Sequence, residues 1–187
     1  MTYRLKRIAL TLAALNTAAC AIVPKNEVVT EILLPAKPEQ VWEVLTDGEK
    51  YADWNPFIVN IEGRFETGER LTNTLQPQPN KQMVFKPKIL EARMNQELRW
   101  IGRLGLPGIF DGEHYFLLEP HDGQTRFTHG EKFSGLSLWF LETDQFSENF
   151  KAMNLALSDR LRQLYPHNQP AMPVSYTHLT LPTTPYV

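Results

Sequence analysis

Two histidines and a glutamate, His114, His129 and Glu131, fall in a stretch whose turn signal puts all three on one face. Asp122-Gly123 divides residues 110–134, and an Asp-Gly pair favours the two-residue type I′ hairpin turn. With that turn His121 faces Gln124, and counting outward sets Leu118 opposite Phe127, Phe116 opposite His129 and His114 opposite Glu131. Glu119 then meets Arg126 on the other face as an opposite-charge pair. Because strand side chains alternate, Phe116, Leu118, Phe127 and Phe133 share a side with His114, His129 and Glu131, while Glu119, Arg126 and Lys132 point away. A slip of one residue, or a β-bulge, would reverse the faces and bury Arg126 and Lys132, which are seldom buried without a partner.

A histidine beside a carboxylate in a dry setting can act as a general base held by its orienting partner, with His114 as base and Glu131 fixing its tautomer. The plainer account is a polar group that satisfies itself, since each unpaired buried group costs about 1–3 kcal/mol. Two histidines and a carboxylate could also ligate zinc, but the spacing matches no established motif, so no metal is expected. Neither a nucleophile motif nor a Gly-rich phosphate loop is present, and no cofactor is expected.

The chain has 187 residues, the length of one domain with two appended ends. A net charge of -2 with no basic run past the first residues gives no footprint for nucleic acid. Residues 1–20 have the parts of a secretory signal: Arg4, Lys6 and Arg7, a mostly apolar run over 8–15, then Thr17-Ala18-Ala19. That run is too short to stay as a spanning helix, which needs about 20 apolar residues. Export to the cell envelope is expected, with a cytoplasmic protein as the alternative if the segment is retained. The lone cysteine, Cys20, has no partner for an internal disulfide. After Tyr165 the composition turns to proline, threonine and small polar residues, so residues 166–187 are expected to lack fixed structure. Residues 174–184 also look like translated linker or adapter sequence, and His178 is set aside with them.

Between these ends the pattern predicts a strand, short helices, six strands and a long helix over residues 27–165. Residues 28–34 are β-branched and aliphatic, Pro38 suits a first helical turn although Lys37 is a poor cap, and Asp47-Gly48 closes that helix. Pro56 forces Asn55 into an extended conformation and starts a strand over 58–65. Strands follow over 69–77, 82–91 and 97–104, broken at Pro77, Pro79 and Asn80 and at Met94-Asn95-Gln96. Pro87 needs an edge position or an outward missing donor. In the next strand Leu98 and Trp100 point inward, with Arg99 and Arg103 outside. Phe146, Phe150, Met153, Leu157, Leu161 and Leu164 form one helical stripe, capped by Asp144, that must lie against the sheet.

The order β-αα-β6-α resembles the helix-grip fold of the START-like superfamily, in particular the polyketide cyclase/dehydrase-type domains grouped as SRPBCC. Val41-Trp42-Glu43-Val44-Leu45-Thr46-Asp47 and Tyr51-Ala52-Asp53-Trp54-Asn55-Pro56 look like its opening helix pair. Trp100, Gly112, His114 and Phe116, then the run 125–135, look like its late strands. Thr17-Ala18-Ala19-Cys20 similarly looks like a lipoprotein box, which implies lipid on Cys20 and membrane contact through that anchor alone. The resemblance implies an α+β fold, a curved antiparallel sheet of about seven strands around the C-terminal helix, and a cavity between them. Its lining would be Trp54, Asn55, Phe57, Phe85, Trp100, Phe116, Phe127, Phe133, Phe150 and Met153, with His114, His129 and Glu131 orienting the polar head of a lipid-like ligand. The superfamily also implies an alternative, a cyclase or hydratase that moves a proton with the His–Glu pair. Fold alone does not select between them.

Overall fold

The computed structural model describes residues 25–78, 81–104, 106–139 and 145–168. Residues 1–20 with Cys20, then Pro79, Asn80, Asp144 and His178, lie outside the described residues. The architecture is α+β and of the helix-grip type. In chain order it runs β1 (Lys25–Leu34), α1 (Pro38–Thr46), a 3-10 turn (Gly48–Asp53), β2 (Ile58–Glu62), β3 (Thr72–Gln78), β4 (Lys81–Phe85), β5 (Lys88–Arg93), β6 (Glu97–Leu104), β7 (Phe110–His121), β8 (Gln124–Ser134) and α2 (Gln145–Leu164).

The hairpin register is the one the Asp-Gly turn predicts. Asp122 and Gly123 both have positive φ, 48° and 79°, as a type I′ turn requires. His121 pairs with Gln124, Phe116 with His129, and His114 with Glu131. A right-handed twist suits this turn, so the pairing runs without a bulge along the whole hairpin.

Pro87 changes the sheet. A single strand was expected over residues 82–91, but β4 and β5 lie in different sheets, ordered β2-β3-β4 and β1-β8-β7-β6-β5. Proline has no N–H to carry a ladder onward. Its carbonyl instead accepts from Leu71, and Ile89 donates to the carbonyl of Glu69, so residues 69–71 stitch the two sheets together. Among the described residues there are eight strands, in keeping with the about seven expected. The poor cap at Lys37 is relieved from within the helix, where the Gln40 side chain accepts the Lys37 N–H at 3.0 Å. Gly48 is needed for a close approach, because a Cβ there would run into the backbone of Ile61 and push the turn off β2.

α2 lies against the concave face of the larger sheet. Phe150, Met153, Leu157 and Leu161 are buried as the stripe predicts. Leu164 departs from it and is 45% exposed. Beyond Tyr165, residues Pro166–Asn168 make a further 3-10 turn, and Asn168 donates to Gln40 at 2.6 Å. The first three residues expected to lack fixed structure are therefore docked on α1.

Leu157 is fully buried whereas Leu155, two residues earlier, is 60% exposed. Leu157→Ala is expected to cost about 2–5 kcal/mol, and Leu155→Ala no more than about 0.5. Urea denaturation of the two variants checks this, and equal losses would contradict the stated packing of α2.

Candidate functional site

β7 and β8 bring His114, His129 and Glu131 together, and α2 and β1 add two polar residues to form one continuous chain. Glu131 Oε2 lies 3.3 Å from His114 Nδ1. The His114 Nε2 is 3.0 Å from His129 Nε2, and His129 Nδ1 is 2.8 Å from Asn154 Oδ1. Asn154 Nδ2 donates to Thr30 Oγ1 at 2.9 Å, and the Thr30 hydroxyl donates to the His129 carbonyl at 3.1 Å. His129 is fully buried, while the side chains of His114 and Glu131 keep 13% and 17% of their exposure. The chain is therefore dry at Asn154 and reachable from outside at Glu131.

Aromatic rings enclose it. Trp100, opposite His114 across β6 and β7, stacks on that imidazole at 4.9 Å with 2° between planes. Phe150 stacks on His129 at 4.0 Å, and Phe116 meets both histidines edge-on. Burial first, and then the neighbouring His114, push the His129 imidazole well below its ordinary pKa, against the opposite pull of its bond to Asn154. His129 is thus a neutral ring that relays contacts and does not meet solvent.

The other expected lining residues divide into two groups. Phe127 is fully buried and stacked on Phe116 at 5.4 Å, and Met153 and Phe57 join the same core. Trp54 packs on Tyr51 at 5.0 Å, and Asn55 Oδ1 takes the N–H groups of Phe57 and Ile58 at 2.9 Å each, so Asn55 sets the start of β2. Phe133 joins Phe110 and Phe146 beside Glu131. Phe85 covers bare backbone: Gly102 and Gly112 face each other across β6 and β7, and a Cβ at Gly102 would meet the Phe85 ring. At Gly112 a Cβ would meet the Glu131 carboxylate. The two glycines make a floor without side chains of its own, on which the Phe85 ring and the Glu131 carboxylate rest.

Asn154 and Thr30 were missed in the sequence, although both carried a signal. Asn154 interrupts the apolar stripe between Phe150 and Leu157, and Thr30 alternates with Val28 and Ile32 on β1. On the outer face Tyr115 lies across Gly130 and donates to Glu27 at 2.8 Å, and its phenol is pushed up to about 12 by burial and by that bond. Arg99 stacks over the Tyr115 ring at 4.8 Å and pairs with Glu97 and Glu113. A concavity of about 630 Å³ on this side is lined by Glu27, Asp111, Glu113 and Lys132, and another of about 640 Å³ lies beside Pro38, Met94 and Pro120. Neither is the expected space between sheet and α2, whose middle the stacked rings fill. Among the described residues no group of His, Cys, Asp and Glu is arranged to hold a metal ion.

The family model for polyketide cyclase / dehydrase and lipid transport matches residues 25–164. The chain belongs to that family. Its members make this a hydrophobic ligand-binding domain in general terms. Solved structures agree on the fold of this polyketide cyclase/dehydrase-family domain. A START superfamily protein from Mycobacterium smegmatis is 19% identical with a TM-score of 0.58, covering 74% of this chain and 98% of its own. Protein CV1439 from Chromobacterium violaceum is 15% identical with a TM-score of 0.62, covering 73% and 96%. A norcoclaurine synthase from Thalictrum, solved with a transition-state analogue, is 14% identical with a TM-score of 0.57, covering 76% and 97%. Among curated proteins none matches the chain.

The lowered His129 pKa makes stability depend on pH. Below about pH 6.5 the unfolded chain protonates this histidine while the folded chain keeps it neutral to lower pH, so the unfolded state binds more protons and stability falls as pH drops. The urea midpoint is expected to decline between about pH 7.5 and about 5.5, with a shallower decline in His129→Gln. Identical slopes in the two proteins would contradict the buried neutral assignment.

Proposed function

We propose that this domain binds a small hydrophobic or amphipathic, lipid-like ligand at the seam between the larger sheet and α2, with the ligand's polar group at Glu131. The observation that carries the proposal is the glycine floor. Gly102 and Gly112 present bare backbone beside the one end of the polar chain that reaches solvent. Phe85, a partly exposed residue of the smaller sheet, covers that floor with its ring. A ligand taking the place of this ring would rest on the glycines with Trp100 on one side and the Phe110, Phe133 and Phe146 group on the other. Apolar area removed from water there contributes about 25 cal/mol per Å² before the costs of association, and Glu131, held by His114, fixes the orientation.

A second proposal, a polyketide cyclase- or hydratase-like enzyme, is favoured by the contact of His114 with Glu131 inside a largely aromatic seam. There the pair would move a proton on a bound apolar substrate. His114→Gln is then expected to abolish turnover of any substrate that the wild type converts, and unchanged turnover would end this version.

For the binding proposal, native mass spectrometry of the full chain from a bacterial host is expected to show a retained lipid-sized adduct. Phe85→Ala, which uncovers the floor, should raise the loaded fraction. Glu131→Ala should weaken binding of an added medium-chain amphiphile about tenfold, through loss of a charge-assisted hydrogen bond. A clean apo mass together with no binding of such amphiphiles would refute the proposal.

A further inference from the structure

We propose that Asn154 is a positioning residue that sets where the hydrogens lie along the polar chain, so that one proton is held between His114 and Glu131 and a ligand meets a carboxyl oxygen, which accepts from a donor such as a hydroxyl. This rests on the ligand site proposed above and names the chemistry that site would take. The single hydroxyl hydrogen of Thr30 is used on the His129 carbonyl, so Thr30 Oγ1 accepts from Asn154 Nδ2. That fixes the amide, and Asn154 Oδ1 is the atom facing His129 Nδ1. An amide oxygen only accepts, so His129 Nδ1 carries hydrogen. The neutral ring then has a bare Nε2, to which His114 Nε2 can only donate.

What remains is His114 Nδ1 against Glu131 Oε2. A bare nitrogen and a carboxylate oxygen would set lone pair against lone pair, so one proton lies between them. The pair holds it either as imidazolium and carboxylate or as imidazole and carboxylic acid, and in both forms the proton lies between the two side chains and leaves the other carboxyl oxygen of Glu131 as an acceptor. The remaining neighbours of His114 are Trp100 on β6, Phe116 on β7 and Phe150 on α2, none of which brings charge or an acceptor. Both nitrogens of His114 are occupied, so the atoms that meet a ligand belong to Glu131. The opposite order would need the Asn154 amide turned over and the Thr30 hydroxyl withdrawn from the His129 carbonyl. It would leave a neutral imidazole donating to an ionised carboxylate, with one proton fewer in the chain. The direction of the whole chain is thus set from α2.

Proton–nitrogen correlation spectra of the full-length, isotope-labelled protein read this directly, without ligand. In the wild type His129 is expected to be protonated at Nδ1 and bare at Nε2. Asn154→Asp, which keeps an acceptor, should preserve that single tautomer. Asn154→Leu, which has none, should lose it. Nε2-protonated His129 in the wild type, or an unchanged pattern in Asn154→Leu, would overturn the proposal, and the wild-type spectrum decides even if the leucine variant does not fold. Naphthylethanol should bind about tenfold more tightly than ethylnaphthalene, which has the same rings without the hydroxyl. Equal affinities would overturn the donor preference and leave the seam site standing. Failure of both to bind, with the expected tautomer, would instead overturn the site.

Discussion

The fold closes around one buried imidazole. His129 has no contact with water, and a neutral ring with two nitrogens loses more by going unpaired than any nearby apolar contact gains. Its partners come from three elements: His114 on β7, Asn154 on α2, and Thr30 on β1 through the Asn154 amide. Satisfying this ring therefore fixes how α2 sits on the sheet in rotation and along its axis. An apolar stripe alone would tolerate sliding by a turn, whereas a hydrogen bond of 2.8 Å does not.

The aromatic packing follows from that constraint. Phe150 precedes Asn154 by one helical turn, so seating the amide on His129 also lays the Phe150 ring on the imidazole face. Trp100 performs the same service for His114 from the sheet. Flat faces stacked on flat faces fill the centre of the seam, and at its Glu131 end the Phe85 ring and the Glu131 carboxylate lie over the backbone of Gly102 and Gly112. The family's general capacity for hydrophobic ligands meets, in this chain, a seam that is solid in the middle and thinly covered at one end.

Electrostatics divides the two faces of the sheet. The concave side carries a chain in which each polar atom has a specific partner. The convex side carries Arg99 between Glu97 and Glu113, with Tyr115 beneath it and Glu27 at the edge. Arg99 is held by two carboxylates and the face of the Tyr115 ring, and it is that ring which lies over the backbone at Gly130. Opposite charges placed directly across strands stabilise the pairing that also sets His114 against Glu131.

Local chemistry determined much of this molecule by itself. The Asp-Gly turn fixed the register of β7 and β8, and with it the meeting of His114 and Glu131, because a two-residue turn leaves one pairing and strand alternation leaves one face. The stripe on α2 was equally legible up to Leu161. Other features needed the assembled structure. Pro87 announced an irregularity, but whether the chain would end at an edge or pass to a second sheet depended on residues 69–71, which lie far from it in sequence and supply the hydrogen bonds. Asn154 and Thr30 stand 124 residues apart, and a polar residue in an apolar stripe has no meaning until its partner is in place. The cover over Gly102 and Gly112 was likewise invisible, since it depends on how far the Phe85 ring and the Glu131 carboxylate reach over the two facing glycines. Turns and alternation act over a few bonds and can be read along the chain, whereas the pairing of buried polar groups and the shape of empty space arise only when distant segments are packed together.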